Sequence, residues 1–325
     1  MKLHENLELF RDAVTVTAQE KGIPEIYIEK DYWVTLALYT IFKSEVGSQV
    51  VFKGGTALAK CYDVIKRFSE DIDLVVLKSE LESGTKLKNK IKLISESLKE
   101  IMPEVEAKGI TNKMGMIRKT AHSYPKTFEG KFGQVRDTII LESTWLGSFE
   151  PYTSAFAESF ISEMMRSKNQ LNLIEEYNLQ PFQVQVLRKE RTLCEKIMSL
   201  MRFSFTENPI KDLNNKIRHI YDMHQMLLEE EISKFFDSNE FDIFLINVAK
   251  DDLVSFKNNN GWLSNHPSKA IVYSDVNSTW NKLNNTYKTI FNELVYGELP
   301  SEEEVLKTLF RISKRLEKIK WEIGN

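Results

Sequence analysis

The stretch FKGGTALAKCYDVIKRFSEDIDLVV, residues 52–76, constrains this chain more than any other. Apolar Val50, Val51 and Phe52 run into Gly54-Gly55-Thr56, a helical pattern follows over 56–66, and Asp71-Ile72-Asp73 opens a second apolar run. Two strands joined through a glycine turn and a helix put both carboxylates at the edge of one small sheet. Residues i and i+2 of a strand share a face, so Asp71 and Asp73 project together and Ile72 points the other way. Carboxylates this close repel each other unless a cation lies between them. Oxygen-only ligands suit Mg2+, which keeps several waters and shares substrate phosphates. A glycine turn at a helix start adds bare backbone N–H groups that favour an anion. The combination reads as a metal-dependent nucleotide site.

Around this unit, amphipathic helices are predicted at residues 3–20 and 28–43, separated by Gly22 and Pro24. The strand-like parts of the unit are 49–53 and 72–77, and a long helix over 79–101 stops before Pro103. From 103 to 147 the period becomes strand-like, with extended segments at 114–123 and 134–145 and a turn at Gly130 and Gly133, the pattern of an antiparallel pair. Beyond Pro151 helices are expected at 153–167, 189–203, 211–228, 239–256, 275–295 and 301–321, interrupted by a β-rich run, FQVQVL, at 182–187. The expectation is an α+β fold, a mixed sheet with flanking helices followed by a mainly helical region. The division falls into 1–150, the sheet core, and 151–325, a helical domain completing the cleft.

A net charge of -3 excludes a protein-wide basic surface and leaves a local basic groove open. The two cysteines, Cys61 and Cys194, each sit in an apolar helical pattern and are expected as free buried thiols. The N-terminus has no apolar signal core and no stretch is long enough to span a bilayer, so a cytoplasmic location is expected and no membrane partner.

Nucleotidyl transfer typically uses two metal ions and three carboxylates. Asp71 and Asp73 supply two. Glu142, inside the apolar strand TIILEST, is the best third, facing either a core or a site unless it lies on the solvent face. Lys53, Arg67 and Ser69 flank the acid pair, and either base could reach a triphosphate or be a solvated loop residue. Lys196 lies on an otherwise apolar helix, where the bland reading is a surface pair with Glu195. Asp222 has Arg218 one turn earlier as an ordinary ion-pair partner. His219 and His224 are five apart, on different helix faces, which rejects a zinc site. In Lys30-Asp31-Tyr32-Trp33 the aromatics are expected in the core and Lys30 near the site.

Three motifs carry a family resemblance: Gly54-Gly55-Thr56-Ala57-Leu58 with Arg67-Phe68-Ser69-Glu70-Asp71-Ile72-Asp73-Leu74, then Arg191-Thr192-Leu193-Cys194-Glu195-Lys196-Ile197, then Ile217-Arg218-His219-Ile220-Tyr221-Asp222-Met223. On these the chain resembles the AbiEii/AbiGii-type toxins, a branch of the DNA polymerase β-like nucleotidyltransferase superfamily. The resemblance implies a polymerase β-like mixed sheet. It makes Gly54, Gly55 and Thr56 a phosphate cradle, Asp71 and Asp73 metal ligands, Lys196 a triphosphate-contacting cation and Asp222 a polar residue of the helical wall. The third motif departs from the family pattern, with Arg218-His219 where Lys-Asp is usual.

The activity implied is Mg2+-dependent transfer of a nucleoside monophosphate from an NTP to an acceptor with release of pyrophosphate. Two Mg2+ ions and an NTP are the expected cofactor and substrate. The context implied is a bacterial toxin of a toxin–antitoxin or phage-defence system with its antitoxin encoded alongside. The acceptor end of tRNA is the expected acceptor, with Arg188, Lys189, Arg191, Arg202 and Arg218 as a possible groove. The alternatives are modification of a protein hydroxyl, as in AMPylating enzymes, and an inactive nucleotide-binding module.

Overall fold

The computed structural model describes residues 1–79, 81–113, 115–130 and 135–323. They fall into two units. The first comprises Met1–Asp63, Arg67–Trp145 and Tyr152–Leu187, and the second Val64–Lys66, Leu146–Pro151 and Arg188–Asn325. Part of the sheet-forming chain therefore lies beyond residue 150, where the sequence suggested that helical structure begins.

The first unit is built on a seven-stranded mixed sheet in the order β3-β4-β5-β2-β1-β7-β6. Its strands are β1 (Val50–Lys53), β2 (Ile72–Val76), β3 (Glu104–Val105), β4 (Ile117–His122), β5 (Ile139–Thr144), β6 (Tyr152–Ala157) and β7 (Phe182–Leu187). β2 runs parallel to β5 and β1 parallel to β7, while the other neighbours are antiparallel. The central strands are apolar almost throughout, so both faces of the sheet middle are covered. The predicted antiparallel pair is β4 with β5. Met114, Gly133 and Gln134 of that prediction lie outside the described residues.

Six α-helices are described in this unit: α1 (Leu7–Lys21), α2 (Glu25–Lys43), α3 (Gly54–Lys60), α4 (Gly84–Glu96), α5 (Phe160–Ser167) and α6 (Leu171–Glu176). The Asn6 side chain caps α1, and Gly22, with φ 65°, ends it in the left-handed conformation a glycine adopts without strain. α2 follows Pro24 and is buried continuously from Ile26 to Leu38, including Glu29, Lys30 and Asp31. α4 starts at its Ser83 cap and buries Leu87, Ile91 and Ile94, but it is shorter than the predicted 79–101.

Two expectations fail. Residues 153–157 are strand, not the first half of a helix; β6 pairs with β7 along its whole length, and the helix starts only at the Ser159 cap. The helix predicted over 56–66 ends at Lys60. Its apparent continuation, Val64 and Ile65, is 7% and 0% exposed and belongs to the second unit.

The second unit contains α7 (Lys189–Ser204), α8 (Pro209–Asn214), α9 (Ile217–Leu228), α10 (Glu230–Asp237), α11 (Asn239–Ser255), α12 (Ile271–Ser274), α13 (Val276–Thr286) and α14 (Glu302–Leu316). It is mainly helical, as predicted, although the run 211–228 is divided between α8 and α9. Helix α14 opens with a reciprocal capping box between Ser301 and Glu304. No helix among the described residues is long and apolar enough to cross a membrane.

Candidate active site

The strand registers produce one row of charge across the sheet. Lys119 of β4 lies opposite Glu142 of β5, Glu142 opposite Asp73 of β2, and Asp73 opposite Lys53 of β1. Directly paired residues in neighbouring strands point to the same face. The row therefore alternates cation, anion, anion, cation, with the two carboxylates in the middle. Glu142 is the one residue of β5 that is not buried, so it does not face the core. Asp71 sits just before β2 and is half-exposed.

Carboxylates so placed cannot all ionise at little cost. Asp73 is pushed up to about 7, first by loss of surrounding water and then by the charges of Glu142 and Asp71; Lys53 and Lys119 oppose the rise. Lys119 Nζ stands 2.9 Å from Glu142 Oε2, and Arg136 Nη1 3.4 Å from Asp71 Oδ1. Among the described residues no three His, Cys, Asp or Glu side chains close on a common point. What the strands supply is an oxygen-only donor set whose mutual repulsion a hard divalent cation relieves, and in that sense the residues fit Mg2+.

The glycine turn packs directly on this carboxylate. Gly54 has φ 83°, and a Cβ there would collide with Asp73 Oδ2. At Gly55 a Cβ would lie 2.6 Å from Arg67 Nη2 and 3.0 Å from Ser69 Oγ. The first position needs glycine for its backbone and for its space; the second needs it for space. With only seven residues, α3 has a small dipole, so the turn's own N–H groups carry any attraction for phosphate.

Thr56 and Arg67 sit differently from what the sequence suggested. Thr56 is buried, its hydroxyl donating to the Asp71 carbonyl at 2.6 Å and lying 3.0 Å from the Ser69 hydroxyl. Arg67 is 3% exposed and donates to the Phe68 carbonyl at 3.1 Å. Both brace the turn against the start of β2, and Arg67 packs against Gly55 of that turn, away from open solvent.

Helix α2 anchors the same region from below with three consecutive charges. Glu29 accepts from the Thr127 and Phe128 backbone N–H groups at 2.6 and 3.1 Å. Lys30 Nζ pairs with Glu70 Oε2 at 2.5 Å and donates to the carbonyls of Arg136 and of Thr138, the latter at 2.8 Å. Burial moves Lys30 down and Glu70 up, and each is partly restored by the other. Asp31 pairs with Lys60 of α3 at 2.6 Å and accepts from the Phe160 N–H at 2.8 Å. The suggestion that Lys30 lies near the site holds in this sense: it grips the residue next to Asp71.

In the second unit Lys196 of α7 and Asp222 of α9 meet at 2.6 Å, at 6% and 0% side-chain exposure. The surface-pair reading of Lys196 does not account for it: its partner is Asp222, and Glu195 pairs with Arg191 at 3.3 Å. The two downstream motifs are thus joined by one buried ion pair. The expected cationic groove fares less well. Arg188 pairs with Glu190, Lys189 with Glu229 and Arg191 with Asp251, while Arg202 stacks on Phe256 with 4.3 Å to the ring centroid. Sequence reasoning missed Lys119 and Arg136, whose only signal is strand register and a contact made across 65 residues.

The profile of the family described as "Nucleotidyl transferase AbiEii toxin, Type IV TA system" matches residues 36–308. No curated protein matches the sequence. Among solved structures the fold is similar to MenT4, a nucleotidyltransferase toxin from Mycobacterium tuberculosis, at 13% identity and a TM-score of 0.38, over 84% of this chain and 98% of that one.

Proposed function

The chain belongs to the AbiEii family of nucleotidyltransferase toxins of type IV toxin–antitoxin systems, and from that premise we propose that it transfers a nucleoside monophosphate from an NTP to an RNA acceptor, the acceptor end of tRNA. In this reading Asp71, Asp73 and Glu142 would supply the oxygen ligands for Mg2+, with two ions as the expected number. Charge on the entering and leaving oxygens of the in-line displacement is what bound divalent cations offset. The acceptor hydroxyl oxygen forms a bond to the α-phosphorus and gives up its proton to solvent, the bond from that phosphorus to the β-phosphate's bridging oxygen breaks, and pyrophosphate leaves with the electron pair.

The residues of the first unit prepare this step. Gly54 and Gly55 present backbone N–H groups to the phosphates. Thr56, Ser69 and Arg67 hold that turn against Asp71, and Lys53 and Lys119 flank the carboxylate pair with positive charge. In the second unit, Lys196 paired with Asp222 is proposed as the cation that the family resemblance makes a triphosphate contact. The observation that supports the reading most is the register that sets Asp73 opposite Glu142, with a glycine whose absent Cβ makes room for the Asp73 carboxylate. A cognate antitoxin, a role in phage defence and action in the cytoplasm belong to the same proposal.

The test is to incubate the protein with Mg2+, each labelled NTP in turn, and either total RNA or lysate protein. Label is expected in tRNA, and the variant combining Asp71→Ala with Asp73→Ala is expected to abolish both labelling and growth arrest. Label confined to protein would replace the RNA reading by protein modification, and arrest persisting in the double variant would sink the catalytic account.

A further inference from the structure

Lys30 is fully buried and Glu70 is 3% exposed, yet both are directed at the backbone of a surface residue. The N–H of Arg136 donates to Glu70 Oε1 at 3.0 Å, and its carbonyl accepts from Lys30 Nζ. A buried ion pair is often no more stabilising than apolar residues of the same volume. Here the pair fixes the main chain of Arg136 from both sides. What remains outward is the guanidinium, 42% exposed, with Nη1 3.4 Å from Asp71 Oδ1 and 3.9 Å from Glu70 Oε1. A guanidinium carries five N–H donors in a planar fork. One edge facing Asp71 satisfies few of them, and the fork matches paired phosphate oxygens. Charge also favours that ligand. A nucleotide whose metal is held at Asp71 would bring its phosphates near this cation.

We propose that Arg136 binds the phosphates of the nucleotide, and that Lys30 and Glu70 are positioning residues that hold it at the acid pair. The proposal rests on the reading of Asp71, Asp73 and Glu142 as the metal-nucleotide site. It makes Arg136 a preorganised anion contact, with its backbone geometry set before substrate arrives.

Isothermal titration of the full-length protein with each of the four NTPs in the presence of Mg2+ tests the contact. Arg136→Ala is expected to weaken the tightest-binding NTP by about tenfold or more, as for loss of a charge-assisted phosphate contact, with Arg136→Lys recovering only part. The positioning role is tested by combining Lys30→Met with Glu70→Leu, which replaces the buried pair by apolar volume. That double variant is expected to stay folded and to lose NTP affinity as Arg136→Ala does, with no further loss when Arg136→Ala is added. NTP affinity of Arg136→Ala within twofold of the parent overturns the phosphate contact, whatever the fate of the buried pair. A folded Lys30→Met, Glu70→Leu variant with parental affinity overturns the positioning role. Asp71→Asn with Asp73→Asn, assayed alongside for transfer, separates the two levels. Full transfer there would remove the metal-nucleotide site and this proposal with it, whereas lost transfer beside unchanged Arg136→Ala binding removes this proposal alone.

Discussion

At the scale of single residues, Asp73 carries the conflict between stability and chemistry. Burial and its acidic neighbours raise its carboxyl to about 7, above the range it has in an unfolded chain. Between the two values the native state holds more protons than the unfolded one, so stability falls as pH rises through that window. Above it the ionised carboxylate opposes folding in full. Asp73→Asn removes that opposition while keeping the shape. We expect the variant to be more stable than the parent in urea at pH 8 without divalent cations, by roughly 1–3 kcal/mol, and to lose most of that advantage at pH 4. Mg2+ should narrow the difference at pH 8 by stabilising the parent alone. Equal urea midpoints at pH 8 in metal-free buffer would contradict the repulsion on which the site reading depends.

Among elements, α2 shows how a helix organises a site it does not line. Asp31 alone fixes two neighbours, Lys60 on α3 and the first N–H of α5. Asp31→Ala would leave the Lys60 ammonium, 3% exposed, without its carboxylate. A cost of about 3–5 kcal/mol is expected in chemical denaturation, and adding Lys60→Met should recover a large part of it. No recovery in the double variant would show that the loss lies elsewhere. The sequence of α2 signals this role only halfway. Glu29-Lys30-Asp31 in an otherwise apolar helix marks charges that need buried partners, but Glu70 and Lys60 lie 40 and 29 residues on, where no spacing rule reaches. The β1–α3–β2 unit was legible because its signals are local: a glycine turn, a short helix and a strand of alternating Asp. The strand β6 was not, because TSAFA joins smoothly onto the amphipathic pattern of α5 and becomes a strand only by pairing with β7. The same distinction explains the site. Asp71, Asp73 and Glu142 could be chosen from their own surroundings, while Lys119 and Arg136 become visible only once β4 and β5 are in register with β2.

Across the whole molecule, the second unit is not a contiguous stretch of chain. It takes Val64–Lys66 and Leu146–Pro151 from within the sequence of the first. The borrowed residues are bonded there. Lys66 O accepts from the Tyr296 and Gly297 N–H groups at 3.0 and 3.3 Å, and Arg188 N donates to Pro151 O at 3.0 Å. Ile65 is fully buried, so its absence would leave a core position unfilled, at a cost of about 2–5 kcal/mol for a large aliphatic side chain. The boundary at 150 suggested by the sequence follows a change in local periodicity, and a fragment cut there would retain β6 and β7 without β1, the strand β7 pairs with. Such a fragment exposes a strand edge that recruits other chains. We therefore expect fragment 151–325 to aggregate, and fragment 188–325 to lack a cooperative urea transition by circular dichroism where the full chain has one. A cooperative transition of fragment 188–325 at the full chain's midpoint would show that the borrowed segments contribute little. Helical composition then would be sufficient to define this unit, and the long-range bonds at Lys66 and Pro151 would be incidental to it.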